Sequence, residues 1–340
     1  MPPDTVAPGG SVAISDVTGI RERTLWQKAV GTQALWVAVA LAVIVAVMCL
    51  LQPDAFATVD NLYNITRNFS FIGIMALGMT AVIITGGIDL SVGSVMGVVV
   101  IVTGVIMHAD YSAWLAIAGG LAAGLVCGLF NGLLISVLGL SSFVVTLGTL
   151  AIARSTAVVL SQNKMIYEFG HDANTLFAIG GGDFLSVANS VWLLLVMAIG
   201  FALVLHFSVW GRHLFAVGGN EHAARLTGVP VDRVKVTAYV FCSMCAAVAG
   251  IMILGWQGSA INAVGTGYEL RVIASTVIGG ANLMGGEGGA FGAFIGAALI
   301  EVIRNSLLMA GVDSNWQGIF VGAFIILAVL LERLRGRKRD

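Results

Sequence analysis

One stretch, Gly86-Gly87-Ile88-Asp89-Leu90-Ser91-Val92-Gly93-Ser94, limits what this chain can fold into more than any other. It places a carboxylate, two hydroxyls and three glycines between the hydrophobic runs 69–85 and 95–107. Hydrocarbon offers no water to backbone amides. Irregular polar backbone at membrane depth must therefore be buried in protein, line a cavity or sit at the interface. A break of this kind suits a transport pathway and has no use in a lipid anchor.

The flanking runs are part of a larger pattern. Of 340 residues, 58% are hydrophobic and 10% are charged, against about 25% charged in a soluble domain. Runs long enough to cross about 30 Å of hydrocarbon fall at 33–51, 69–85, 92–107, 113–138, 143–160, 187–207, 237–256, 270–286, 289–303 and 319–331. The expectation is an all-α integral membrane protein of about ten transmembrane helices, the third, eighth and ninth short enough to be broken or re-entrant. Arg21, Arg23 and Lys28 precede the first run, Arg212, Arg225, Arg233 and Lys235 fill the longest polar connection, and Arg333, Arg335, Arg337, Lys338 and Arg339 follow the last. Placing these on the cytoplasmic side, where Lys and Arg accumulate, leaves Arg67, Lys164 and Arg304 for the other. Both termini are then cytoplasmic, as an even number of spans requires. The chain divides into a polar tail (1–32) without signal-peptide pattern, a membrane domain (33–331) with a cytoplasmic loop (208–236), and a basic tail (332–340).

Glycines recur at close-packing intervals, as in Gly120…Gly124…Gly128…Gly132 and Gly288-Gly289…Gly292…Gly296, which reads as backbone-to-backbone helix packing in lipid. Cys49, Cys127, Cys242 and Cys245 lie inside apolar runs and read as small hydrophobes. Trp114, Trp192, Trp256 and Trp316 fall at outer span ends, where indole rings favour the headgroup zone. Glu301 and Arg304 stand three apart on one helical face, the spacing of a local ion pair.

In the long polar connection, Asn220 is an N-cap candidate, Glu221 favours the positive helix start, and Gly228 with Pro230 ends the helix after about two turns. A short exposed helix bounded by glycine is either a docking element or an interfacial connector. The chain also echoes itself: Gly86-Gly87-Ile88-Asp89-Leu90 returns as Gly279-Gly280-Ala281-Asn282-Leu283. Paired glycine-interrupted spans point to a membrane binding site, although both turns here fall on one side, unlike a simple five-plus-five inverted repeat. Asp89 reads as an N-cap for a helix starting at Leu90 or Ser91, or as a solute contact or gate partner. Ser91, Asn131, Thr146, Glu269 and Asn282 join it as candidates for the path. Thr149 and Ser155 are further hydroxyls able to bond a polyhydroxylated solute or their own helix, and Arg154 is a charge in need of a partner.

Four ordered segments resemble the permease subunits of bacterial sugar ABC importers, the ribose, xylose and galactose group. They are Ala76-Leu77-Gly78-Met79-Thr80 with 85–94; Phe130-Asn131-Gly132 with Phe143-Val144-Val145-Thr146-Leu147-Gly148; Val217-Gly218-Gly219-Asn220-Glu221 with Ala223-Ala224-Arg225-Leu226-Thr227-Gly228; and Gly265-Thr266-Gly267-Tyr268-Glu269-Leu270 with Gly279-Gly280 and Gly285-Gly286. The resemblance implies a permease homodimer in the bacterial inner membrane, two cytoplasmic ATPase domains and a periplasmic sugar-binding protein. It implies that Gly218, Gly219, Asn220, Glu221, His222, Ala223, Ala224, Arg225 and Gly228 form the segment coupled to the ATPase. Arg271 departs from the family, which more often carries an acidic residue there. No Lys follows a Gly in the chain, so it has no Gly-x-x-x-x-Gly-Lys-[Ser/Thr] phosphate loop. ATP and Mg are then expected on the partner ATPase, with no cofactor, metal or nucleic acid bound by this chain and no enzyme activity of its own. An ion-coupled secondary transporter or uniporter is the alternative that the broken spans also suit.

Overall fold

The computed structural model describes residues 32–313 and, beyond them, 316, 318, 319, 322 and 323. The expected span 319–331 and the two tails therefore lie almost wholly outside the described residues. The elements in order are α1 (Gln33–Leu51), α2 (Pro53–Phe56), α3 (Val59–Ile84), α4 (Val92–His108), α5 (Ala113–Ser136), α6 (Ser142–Leu160), α7 (Ala173–Gly180), a hairpin of β1 (Asp183–Phe184) and β2 (Val187–Ala188), α8 (Asn189–Phe207), α9 (Val209–Gly219), α10 (Glu221–Leu226), α11 (Val231–Gln257), α12 (Tyr268–Ile278) and α13 (Ala290–Met309). Among the described residues, α1, α3, α5, α6, α8, α11 and α13 are long and apolar enough to cross a membrane, and α4 is a shorter apolar helix.

Two helices outrun their apolar runs. The one read as starting at 69 begins at Val59, where Thr58 caps it by accepting from the Asn61 N–H. The one read as starting at 237 begins at Val231 and carries Asp232, Arg233 and Lys235 in its first turns. Helical hydrogen bonds do not stop where hydropathy does, so polar residues extend a span beyond the lipid at no cost to its backbone. The ninth expected span is unbroken, 20 residues from Ala290 to Met309. The eighth is broken at both ends: α12 has 11 residues, or about 16 Å at 1.5 Å per residue, roughly half a bilayer core.

The centre of the bundle is α3 and α11, buried along most of their membrane length. The expected glycine stripe of α5 makes the fit. A Cβ on Gly124 would stand 2.6 Å from Ala247 Cβ, on Gly128 2.7 Å from Val240 Cα, and on Gly132 2.8 Å from Val236 Cα. Bare backbone is thus what lets α5 lie on α11, in a setting where dispersion and small residues hold helices together. A side chain on Gly78 of α3 would likewise meet Cys242 and Cys245 of α11, both buried and unpaired in disulfides, so they serve as small packing residues.

Between α11 and α12 the chain runs as irregular backbone along α4. Gly104, Gly97 and Gly93 of α4 face Ala260, the Val264 carbonyl and the Gly265 carbonyl in turn. Several of its polar groups are satisfied by protein, as lipid requires: Ile166 and Ala260 exchange backbone hydrogen bonds of 3.0 and 2.7 Å, and Arg154 of α6 donates through Nη1 to the carbonyls of Asn262 and Val264, both at 2.9 Å. That is the partner Arg154 needed. Glu301 and Arg304 form their intrahelical pair through two hydrogen bonds. Trp256 departs from the expected belt: it packs on Phe71 and lies under the Arg67 guanidinium, 4.2 Å from the ring centroid. Trp114 and Trp192 are exposed at span ends as expected.

Candidate functional site

The chain from α3 to α4 turns on Gly86, whose φ of 79° suits glycine. Asp89 then accepts, through Oδ1, from the Ser91 N–H at 2.8 Å and the Ser91 hydroxyl at 2.6 Å. This bond to a backbone group two residues on is an Asx turn. It corrects the expectation of an N-cap: α4 starts at Val92, three residues after Asp89, and Ser91 holds the cap position without a side-chain capping bond. Asp89 shapes the turn that aims the helix.

The carboxylate is fully buried, a costly place for a charged group without partners. A relay of donors supplies one side of it. Thr149 of α6 donates to Asn131 Oδ1 at 2.6 Å, Asn131 of α5 donates to Ser91 Oγ at 2.9 Å, and Ser91 donates to Asp89. Every hydroxyl or amide in the relay points its hydrogen towards the carboxylate, so each bond polarises the next. Asp89 Oδ2 has no hydrogen-bond partner and stands within electrostatic reach of Tyr239 and Cys242 on α11. Thr146 is only loosely attached: its hydroxyl bonds Ser142 O in its own helix at 2.8 Å and reaches Ile88 O at 3.4 Å. Ser155 is exposed and outside the relay.

The second glycine turn reproduces the local chemistry. Asn282 Oδ1 accepts from the Met284 N–H at 2.8 Å, again two residues on. It does not join the relay. The two turns nevertheless meet, because the Gly286 N–H donates to Ile84 O at 2.9 Å. Gly218, near the end of α9, is wedged against both: a Cβ there would stand 1.7 Å from Ile84 O and 2.5 Å from the Gly286 nitrogen. The echo therefore marks two turns built to touch on one side of the bundle. Glu269 is elsewhere, at the head of α12 against Gly93, with Oε2 buried and without a hydrogen-bond partner. Arg271 lies over the Tyr268 ring.

The helix expected in the long connection is α10, six residues long, and its N-cap Asn220 accepts from the Ala223 N–H. Gly218 and Gly219 are the last turn of α9 and not a break before α10. Glu221 accepts from Lys235 Nζ at 2.5 Å, and Arg225 meets Asp232 at 2.8 Å and Glu221 at 3.7 Å. The Asp232 hydrogen bond raises the Arg225 pKa above its ordinary value. His222 is exposed, Ala224 is buried, and Ala223 and Gly228 are exposed. Above this charged cluster lies a cavity of about 380 Å³ lined by Thr85, Gly86, Gly87, Ser136, Ser142, Glu221, Arg225, Lys235 and Tyr239, among others. Tyr239 is absent from the residues singled out in the sequence, and Lys235 entered there only as one of the basic residues that set the orientation. Their signal was present: a lysine and a tyrosine four apart on one face of a helix otherwise entering an apolar run. No group of three or more His, Cys, Asp or Glu side chains able to hold a metal occurs among the described residues.

Residues 61–329 match the family model of the branched-chain amino acid transport system/permease component. The chain belongs to this permease family. Among its relatives, the ribose import permease protein RbsC of Escherichia coli is 36% identical over 295 residues, 86% of this chain and 92% of that protein. A probable ABC transporter permease protein of Sinorhizobium fredii is 39% identical over 82% of this chain and 83% of its own length. The L-arabinose transport system permease protein AraH of Escherichia coli is 32% identical over 90% and 93%. The chain is thus a permease, the membrane component of an ABC transporter and not its ATPase, in a multi-pass inner-membrane location.

Proposed function

We propose that this permease moves a monosaccharide of the ribose, xylose, galactose or arabinose kind into the cytoplasm by alternating access. It works as one of two identical copies, with a cytoplasmic ATPase that binds ATP and Mg and a periplasmic sugar-binding protein. The observation that carries the reading is the junction at Gly218. Gly218, two residues before the Asn220 cap of the short exposed helix, packs backbone to backbone against Ile84 at the end of α3 and against Gly286 of the second glycine turn, so a push on 218–228 bears on the chain that leads into the Asp89 turn. In this reading the chain has ten spans with both termini cytoplasmic. Asp89, Ser91, Asn131 and Thr146 shape or contact the solute path, and Glu269 and Asn282 border it. Relatives named for ribose and arabinose import support the sugar class.

The test is reconstitution in proteoliposomes with the cognate ATPase and sugar-loaded binding protein. Sugar accumulation is expected only with ATP, and ATP hydrolysis should rise when the loaded binding protein is added. Accumulation by this subunit alone under a proton or sodium gradient would overturn the reading in favour of an ion-coupled carrier.

A further inference from the structure

The segment 218–228 touches the membrane domain in two ways. One is the glycine wedge. The other is ionic, and its receiving residues on α11 are Lys235 and Asp232. We propose that Lys235 is the positioning residue through which α10 is coupled to the Asp89 turn, with Tyr239 as the next member of the path; this rests on the coupling role proposed above for 218–228.

The geometry supports a directed path. Lys235 Nζ donates to Glu221 Oε2 at 2.5 Å, and its side chain is only 19% exposed while that of Glu221 is 45% exposed. The lysine is thus the inner partner of the pair. It stands in the second turn of α11, four residues before Tyr239, and side chains at that spacing lie one above the other on a helix. Tyr239 is buried and its hydroxyl has no hydrogen-bond partner. That hydroxyl fills the space beside Gly87 so closely that a Cβ on Gly87 would stand 2.4 Å from it. Gly87 is two residues from Asp89. The path runs from Glu221 to Lys235 by an ion pair, along one face of α11 to Tyr239 by the four-residue spacing, and on to Gly87, beside which the Tyr239 hydroxyl sits.

The cavity gives the path room to act. Glu221, Arg225 and Lys235 line it together with Gly86, Gly87 and Tyr239. A packed core transmits displacement only through elements with two arrangements, and a polar void of about 380 Å³ allows Tyr239 a second position that close packing would forbid. The neighbouring Arg225–Asp232 pair also joins α10 to α11. It is the more exposed pair, at 53% and 47%, and only its Arg225 end lines the cavity.

The decisive measurement is sugar transported per ATP hydrolysed, taken on the reconstituted complex with each variant present at wild-type amounts in the membrane. In Lys235→Glu this ratio should fall on the order of tenfold, within the range of coupling free energies between sites. Lys235→Met, which keeps most of the bulk, should lose the ratio to a similar extent. Lys235→Arg should retain it. The reversed pair, Glu221→Lys with Lys235→Glu, should recover most of the loss, and Lys235→Met should melt with the wild type, so that its lost ratio reports coupling and not folding. A wild-type ratio in both Lys235→Glu and Lys235→Met would overturn the proposal, as would a reversed pair no better than Lys235→Glu. If the wild-type complex itself shows no ATP-driven uptake, the importer reading fails. Uptake by the wild type with unaltered Lys235 variants defeats this inference alone.

Discussion

The turns at 86–93 and 279–286 share Gly-Gly-x-[Asp/Asn]-Leu and share one hydrogen bond, from a side-chain oxygen to the backbone N–H two residues on, 2.8 Å in each. They diverge in everything around that bond. Asp89 is fully buried, accepts also from Ser91 Oγ and ends a relay from Asn131 and Thr149. Asn282 is partly exposed and is followed by Met284, 86% exposed. After the first turn a helix starts at Val92; after the second, Gly285, Gly286 and Gly288 all take positive φ and no helix starts until Ala290. The same local chemistry makes a turn in both places. The helices packed over it decide whether the turn is a buried polar centre or a surface bend.

The largest way to break the comparison is to part the two turns. Gly218→Ala places a methyl group against the Ile84 carbonyl and the Gly286 amide, both backbone groups that cannot rotate away. It should cost about 3 kcal/mol, the upper range of overpacking. Gly219→Ala, which meets nothing within 4 Å, should change stability by less than about 0.5 kcal/mol. Thermal unfolding of the purified permease in detergent measures both, and equal melting of Gly218→Ala and wild type would mean that the junction does not hold the turns.

A smaller effect sharpens the contrast between the turns themselves. Asp89→Leu leaves the buried Ser91 N–H and hydroxyl without their acceptor, a loss of roughly 2–3 kcal/mol, and should abolish uptake. Asn282→Leu removes one turn bond near solvent and should cost about 0.5–1 kcal/mol. Asp89→Asn keeps an acceptor oxygen facing Ser91 and should stay close to wild type in stability. Equal losses at positions 89 and 282, by unfolding and by uptake assay, would erase the distinction between buried and surface turn.

The smallest effect tests the relay. Thr149→Val removes the donor to Asn131 Oδ1 and should destabilise by about 1 kcal/mol. Thr146→Val should destabilise less, because its main bond, to Ser142 O, stays within its own helix. Unfolding experiments that rank the two the other way would remove Asn131 from the relay.

Much of this molecule is legible in its sequence. Span positions followed from hydropathy because lipid penalises every exposed polar group, and the α5 stripe followed from glycine spacing because only bare backbone permits that approach. The cap at Asn220 and the Glu301–Arg304 pair followed from rules acting over three or four residues. Span ends were less legible: Val59 and Val231 begin their helices well into polar sequence, where hydropathy is silent and the backbone continues regardless. A helix cap and the Asx turn that Asp89 makes are hard to tell apart in sequence, since both use the same acceptor and differ only in where the first helical residue falls.

What the sequence determined by itself is whatever depends on neighbours along the chain: the apolar runs, the glycine breaks and the short helix after Asn220. Only the tertiary structure decided that Thr149, Asn131 and Ser91 line up on Asp89, that Gly218 wedges between two turns far apart in the chain, and that Lys235 is the inner partner of Glu221. Those contacts join residues tens to hundreds of positions apart. No local periodicity encodes them, because they arise when helices pack at distances that their smallest residues allow.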